Sequence, residues 1–400
     1  LENLFKFMKP LTRIVFSIVF FFASDVFAGK EATVIVISMD GMRHDISTSN
    51  DLDAFERIAT MGLKADHLIP VYPSTTYPGH VSLATGVYPD QHGILHNSFY
   101  DSKEGYFNYP DQGDLIDVPP IWVLAEQAGI PAAVFFWVGS ETDWNNVGAS
   151  FRKAPFDASV SEETKIKQIT EWLDMEDKIR PRLIMSYWDG TDIIAHQEGP
   201  TGPLIKKQIV RQNQLLKKLL HEIDTRDAWD YISLFVVSDH GMTKVSNYII
   251  LRDLIQQSGI KITASSGPAV AHLFMDQDSK EEALRFFSKQ ANLQAYDKHD
   301  LPKSFHLNHP TRTGDIVLIT DPPNMFTNSV NARPKGMHGY SPQLPDMRGI
   351  FYAIGAEIEH KELGPVHQID LAPTIADILG IKDTDHMQGT TISLKEENRH

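Results

Sequence analysis

Short apolar runs that do not alternate with polar residues punctuate this chain. Residues 33–39 (TVIVISM), 183–188 (LIMSYW) and 234–238 (LFVVS) are rich in β-branched, aliphatic and aromatic side chains. Runs of this length without a period of two predict strands buried on both faces, as in parallel sheets. Further strands are predicted at 132–138, 272–275, 315–320 and 349–354, and helices at 51–61, 121–128, 162–174, 204–224, 279–290 and 371–379. Strands interleaved with helices of this size predict an α/β fold, a doubly wound and mostly parallel sheet flanked by helices. Residues 245–335 are richer in Pro, Asn and short strands, which predicts an insert or cap subdomain. The expected organisation is one catalytic domain over 29–390, followed by a tail over 391–400.

The polar residues that end those runs change the picture. The first run ends at Asp40-Gly41, the third at Asp239-His240-Gly241, and the second leads into Asp189 and Asp192 with His196 beyond. Open α/β sheets bind ligands just past the carboxyl ends of their strands. Three carboxylates and two histidines are therefore expected along one sheet edge. Carboxylate oxygen and imidazole nitrogen together suit a divalent transition metal, zinc first. Asp192 and His196 stand at i and i+4 and can share one face of a turn or helix. Asp189 is expected to be a solvated or supporting residue.

Composition narrows the partners. The net charge of -15 argues against a surface that holds a nucleic-acid polymer by many phosphate contacts. It leaves an anionic small substrate open, because bound metal ions invert the local charge. With no cysteine in the chain, disulfides and thiolate metal sites are excluded. Lys6, Lys9 and Arg13 precede an apolar stretch, and Val26-Phe-Ala28 precedes Gly29. That order is expected of a secretory signal peptide over 1–28, with an uncleaved anchor or buried helix as the alternative. No stable membrane span is expected after its removal. Export without cysteine is expected of a bacterial periplasmic or secreted protein.

The stretch from Val71 to Asn97 holds the densest chemistry. Ser74, Thr75 and Thr76 lie between two prolines, ahead of a helix expected to start at Gly79–His80. A hydroxyl there can cap the helix, or act as a nucleophile near a helix N-terminus that favours an anion. The whole segment (VYPSTTYPGHVSLATGVYPDQHGILHN) resembles the nucleophile motif of the ectonucleotide pyrophosphatase/phosphodiesterases of the alkaline phosphatase superfamily. Ser74 stands where that family usually has Thr, and Gly79 where it usually has Asn. The resemblance extends to Asp192-Ile-Ile-Ala-His196 through Gly199-Pro200, with Ala195 for Gly. It also includes Phe136-Trp-Val-Gly-Ser-Glu141, with Val138 for Pro, Met337-His-Gly-Tyr340 and the closing segment His367–Gly380.

This resemblance implies an alkaline-phosphatase-like fold and two Zn2+ per chain. It assigns Asp40, Thr76, Asp239 and His240 to one zinc and Asp192, His196 and His338 to the other. It also implies that Thr76 is the nucleophile, that a phosphothreonine forms, and that Asn97 holds the phosphoryl oxygens. Tyr77 and Tyr187 are placed as aromatic walls for a nucleobase, or as core and rim packing. His44, His67, His92, His96 and His272 are left as structural or supporting residues. The implied reaction is hydrolysis of nucleotide phosphodiesters or pyrophosphates. Glycerophosphodiesters with a choline headgroup are an alternative, since aromatic cages also bind quaternary ammonium. A phosphomonoesterase is disfavoured, because Gly139–Asp143 offers none of the added basic pair that monoesterases of the superfamily carry. A secreted metal-binding protein with a degenerate site is the remaining reading.

Overall fold

The central sheet is built on the predicted runs. The computed structural model describes residues 30–46, 52–328, 331 and 333–395, so the expected signal peptide lies outside the described residues. Its eight strands are β1 (Thr33–Met39), β2 (Leu63–Ala65), β3 (Ala132–Phe135), β4 (Phe151–Lys153), β5 (Leu183–Trp188), β6 (Ile232–Val237), β7 (Phe351–Gly355) and β8 (Lys361–Leu363). They lie in the order β8-β2-β7-β6-β1-β5-β3-β4. All neighbouring pairs are parallel except those of β7, which runs antiparallel to β6 and β2. Alternate residues of β1 enter opposite layers. Val34 and Val36 join a core with Trp122, Leu371 and Ile375, whereas Ile35, Ile37 and Met39 join one with Phe55, Ile169 and Leu216. This two-sided burial, worth roughly 2 kcal/mol per large aliphatic side chain, explains the missing alternation.

The helices follow the predicted pattern closely. They include Ile121–Gln127, Glu162–Leu173, Pro203–Thr225, Gln277–Phe287 and Leu371–Leu379. One boundary differs. The helix expected to start at Gly79–His80 begins at Thr76 and runs to Thr85. Pro78 falls within its first turn, where a missing N–H costs no intrahelical bond. Within the expected insert, Thr263–Ser266, Val270–Phe274, Gln294–Asp297 and Ile316–Ile319 form a separate antiparallel sheet. Leu273, Phe287 and Leu318 fill an apolar cluster beneath it. At the C-terminal end, Ile392 and Leu394 pack into the main core.

β1 is flanked by β6 and β5, with Met39 beside Trp188 and Ser38 beside Val237. The three parallel strands therefore release their carboxyl ends together. Asp40, Asp189 and Asp239 leave the sheet at one edge.

Candidate active site

At that edge, Gly41 bends the chain with φ +67, in the left-handed region that favours glycine. A Cβ at Gly41 would lie 3.1 Å from the Cα and Cβ of Asp192, so the turn also admits the second acidic loop. Its N–H donates to Asp239 Oδ1 at 3.2 Å. Asp192 rides on the first turn of helix Gly190–Glu198, and His196 follows one turn later on the same face. Gly79, which stands where the family usually has Asn, lies where a Cβ would reach 3.1 Å from Asp239 Cβ. The bare backbone lets the helix Thr76–Thr85 sit tightly against the second strand-end aspartate.

The imidazoles show what the centre is built to hold. His240 Nδ1 lies 2.8 Å from the Gly241 carbonyl, His196 Nδ1 2.9 Å from that of Gly336, and His338 Nδ1 3.1 Å from that of Ser74. A carbonyl oxygen only accepts, so each Nδ1 carries a hydrogen and each ring turns Nε2 inward. Those nitrogens meet carboxylates. His240 Nε2 is 3.1 Å from Asp239 Oδ2 and 3.3 Å from Asp40 Oδ1. His196 Nε2 is 3.1 Å from Asp192 Oδ2, and His338 Nε2 is 3.6 Å from Asp192 Oδ1.

Asp40 Oδ1, Asp192 Oδ1 and Asp239 Oδ2 are buried with no hydrogen-bond partner among the described residues. Acceptors facing acceptors in a buried site need a proton or cation between them. Imidazoles anchored through their outer N–H are the usual arrangement of metal ligands. The donor set therefore fits divalent cations. Two candidate metal sites emerge, Asp40 with Asp239 and His240, and Asp192 with His240 and His338. His240 faces both groups, and its ring stacks on His338 at 3.6 Å. His196 joins the second group through Asp192.

Proton affinities follow from the same crowding. Burial, then the charges of Asp239 and Asp192, push the Asp40 carboxyl well above the usual carboxylate range. Burial would also raise Asp192, but His196 and His338 together draw it below its ordinary value. Burial, then His240, hold His338 well below the imidazole range. In His196 the pull of Asp192 outweighs burial, and the pKa rises.

Thr76 opens helix Thr76–Thr85 at this centre, its Oγ1 3.4 Å from His240 Nε2. The neighbouring hydroxyls do not cap the helix. Ser74 Oγ donates to the Tyr340 carbonyl, and Thr75, the N-cap residue, makes no capping bond with its side chain. Asn97 Oδ1 accepts from the Tyr77 N–H at 2.9 Å, which leaves its amide NH2 to the cavities it lines. Sequence reasoning passed over His80. One turn after Thr76, it places Nδ1 2.8 Å from the Thr76 carbonyl and Nε2 2.9 Å from Ser38 Oγ. Its place four residues beyond Thr76 on one helix was the available signal.

For two residues the structure favours one of the two parts expected. Tyr187 lines the cavity at Thr76, but it is only 9% exposed and donates its hydroxyl to Asp40 Oδ2 at 2.6 Å. As a residue of central strand β5 it packs inward, edge-on to His80 and Phe156. Phe156, 44% exposed, presents the freer ring, and Tyr77 lines the same cavity. Glu141 lines it too, its carboxyl pushed up to about 7 by burial. Asp189 is neither solvated nor at the centre. It accepts from the buried Lys165 ammonium at 3.2 Å.

This geometry has counterparts. Residues 34–341 match the family model described as type I phosphodiesterase / nucleotide pyrophosphatase. An uncharacterized pyrophosphatase/phosphodiesterase of Schizosaccharomyces pombe is 29% identical over 382 residues, 88% of this chain and 77% of that protein. A venom phosphodiesterase of Crotalus durissus collilineatus is 28% identical, but this chain spans only 45% of its length. Among solved structures, an inactive variant of murine ectonucleotide pyrophosphatase/phosphodiesterase 5 in complex with AMP superposes with a TM-score of 0.82 at 26% identity. That match covers 88% of this chain and 96% of the murine one. The sheet, the helices around it and the acidic-histidine centre thus have an alkaline-phosphatase-like frame, and the chain belongs to the type I phosphodiesterase / nucleotide pyrophosphatase family of hydrolases.

Proposed function

We propose that this chain hydrolyses phosphodiester or pyrophosphate bonds of nucleotides through a phosphothreonine at Thr76, with two zinc ions as cofactors. The observation that carries this reading is the Thr76 hydroxyl beside the inward Nε2 of His240, at the start of a helix and among unpartnered carboxylate oxygens. Cations held by Asp40, Asp239 and His240, and by Asp192, His196 and His338, would neutralise charge on the attacking and leaving oxygens of an in-line displacement. Thr76 Oγ attacks phosphorus and the helix N-terminus favours the anion it meets. The Asn97 amide donates to the phosphoryl oxygens as charge develops, a contact whose loss costs about a hundredfold. Tyr77 and Phe156 offer faces on which a base can stack.

The cavity at Thr76 is lined by no lysine or arginine among the described residues. A diester with one negative charge needs less compensation than a monoester dianion, which favours the diesterase reading. AMP in the murine relative supports a nucleotide over other diesters. The aromatic walls with Glu141 also suit a quaternary ammonium, so a choline diester is the second reading. The basic, apolar and small-residue order of 1–28 supports export, and the lack of cysteine supports a bacterial periplasmic or secreted setting.

The test is a parallel turnover assay with zinc. It compares thymidine 5′-p-nitrophenyl phosphate, p-nitrophenyl phosphate and glycerophosphocholine. The nucleotide diester is expected to be cleaved fastest. Fastest cleavage of the monoester would overturn the diesterase reading, and of the choline ester the nucleotide reading.

A further inference from the structure

A second cavity of about 270 Å³ opens beside the first, and the two share Asn97, Tyr109, His196 and His338. The first holds Thr76 and the aromatic walls Tyr77 and Phe156. The second lacks Thr76 and lies on the side of His196 and His338, bounded by Ser266 and Pro268 of the insert and by Asn328. In an in-line displacement the leaving oxygen departs opposite the attacking hydroxyl. With the base on the Tyr77 side, the second cavity, on the side of His196 and His338, is the space open to the leaving group.

Beyond the His196 and His338 it shares with the first cavity, the second offers no charged side chain among the described residues. Among the described residues its lining includes no lysine, arginine, aspartate or glutamate, only hydroxyls, amides, aromatic and apolar groups and imidazoles. His96, at its wall, is held well below the imidazole range by burial and then by His272, so it supplies no positive charge. Its two ring nitrogens and Thr75 Oγ1 have no hydrogen-bond partner among the described residues. A pyrophosphate leaving group would bring several negative charges into this space with no side-chain cation to meet them, on a chain of net charge -15. At this volume the cavity stands at the lower end of small-ligand sites.

We infer that the second cavity is the leaving-group subsite and that it selects neutral, hydroxyl-bearing alcohols over polyphosphates. The inference rests on the nucleotidyl reading of the first cavity. The bond from Thr76 Oγ to phosphorus forms as the bond from phosphorus to the leaving oxygen breaks. That oxygen ends protonated as a free alcohol, and water then releases the 5′-nucleotide from Thr76. The net reaction consumes one water per diester.

The experiment compares kcat/KM of the zinc-loaded full chain on four substrates with the same nucleotidyl half. These are a dinucleoside monophosphate, a glyceryl ester, a nucleoside triphosphate and the p-nitrophenyl ester. The dinucleoside or glyceryl ester is expected to exceed the triphosphate by about tenfold or more, and the two esters show whether a nucleoside or a polyol fits better. Asn328→Lys and Ser266→Lys, at the rim, each add a cation and are expected to raise the triphosphate-to-diester ratio roughly fivefold. Equal or faster cleavage of the triphosphate by the native chain would overturn the inference, as would an unmoved ratio in both variants. Failure of the p-nitrophenyl ester, which makes no demand on the subsite, would instead strike the nucleotidyl reading beneath it.

Discussion

The Tyr187 hydroxyl donates to Asp40 Oδ2 at 2.6 Å and leaves Oδ1 of the same carboxylate without a hydrogen bond, 3.3 Å from His240 Nε2. One oxygen is anchored and the other is turned to the centre. Tyr187→Phe keeps the ring and deletes the anchor. Metal affinity at the Asp40 site is expected to fall roughly 10- to 100-fold, as for other outer partners of metal ligands. Competition with a calibrated chelator measures this, and an unchanged affinity would show the bond to be incidental.

Asp189 and Asp192 separate a structural role from a binding one. Asp189→Asn leaves the Lys165 ammonium, fully buried as a side chain, without its counter-charge. That is expected to cost about 3 kcal/mol of stability while metal stoichiometry stays whole. Asp192→Asn should instead lose one metal per chain, so metal stoichiometry is what separates the two. Denaturant unfolding and metal analysis on both variants decide it. Loss of metal from the Asp189 variant alone would contradict the placement.

The two-sided burial of β1, β5 and β6 was legible because continuous apolar runs have few other uses. So was the convergence of Asp40, Asp192, Asp239 and His240, since strand ends in parallel sheets share an edge. The antiparallel direction of β7 was not, because pairing direction leaves no mark on a short buried run. The start of the nucleophile helix at Thr76 was hidden by Pro78, which reads as a breaker yet is harmless in a first turn. Whether Tyr187 is a wall or core packing was left open, and Phe156 was not singled out, because sequence spacing says nothing of which ring faces solvent. Whether Asp189 is solvated or supporting was left open too, because its partner Lys165 stands 24 residues away.

Glu141 gives the aromatic cavity a titration near neutrality. Burial pushes its carboxyl up to about 7, so it is mostly protonated below that pH and ionised above. An exocyclic amino group on the base favours the ionised acceptor. For adenine or cytosine nucleotides KM is expected to fall several-fold as pH rises through about 7, a step absent for thymine and in Glu141→Gln. A KM profile from pH 6 to 8 checks this, and an identical step in the variant would refute it.

Metal removal should expose the strain around Asp40. Its native pKa lies well above the unfolded carboxylate value of about 3.9. Between those two values the folded chain binds more protons than the unfolded one, so metal-free stability falls as pH rises through that window. Asp192, whose native pKa is lowered, acts in the opposite sense, with its stability lost only below the unfolded value. Buried histidines such as His338 and His96, held below the imidazole range, act in the opposite sense over pH 5 to 8, so the Asp40 contribution is read by difference: chelated Asp40→Asn is expected to gain Tm relative to the chelated native chain as pH rises. A calorimetric series across pH on both chelated chains measures the difference.

The most direct test of the account is to find where the phosphoryl group goes. Zinc-loaded enzyme is mixed with thymidine 5′-p-nitrophenyl phosphate, quenched in acid during turnover and mapped by peptide mass spectrometry. The nucleotidyl group is expected on the peptide that carries Thr76, and Thr76→Ala should show neither the adduct nor appreciable turnover. An adduct on another residue, or near-native turnover by Thr76→Ala under saturating zinc, would contradict it.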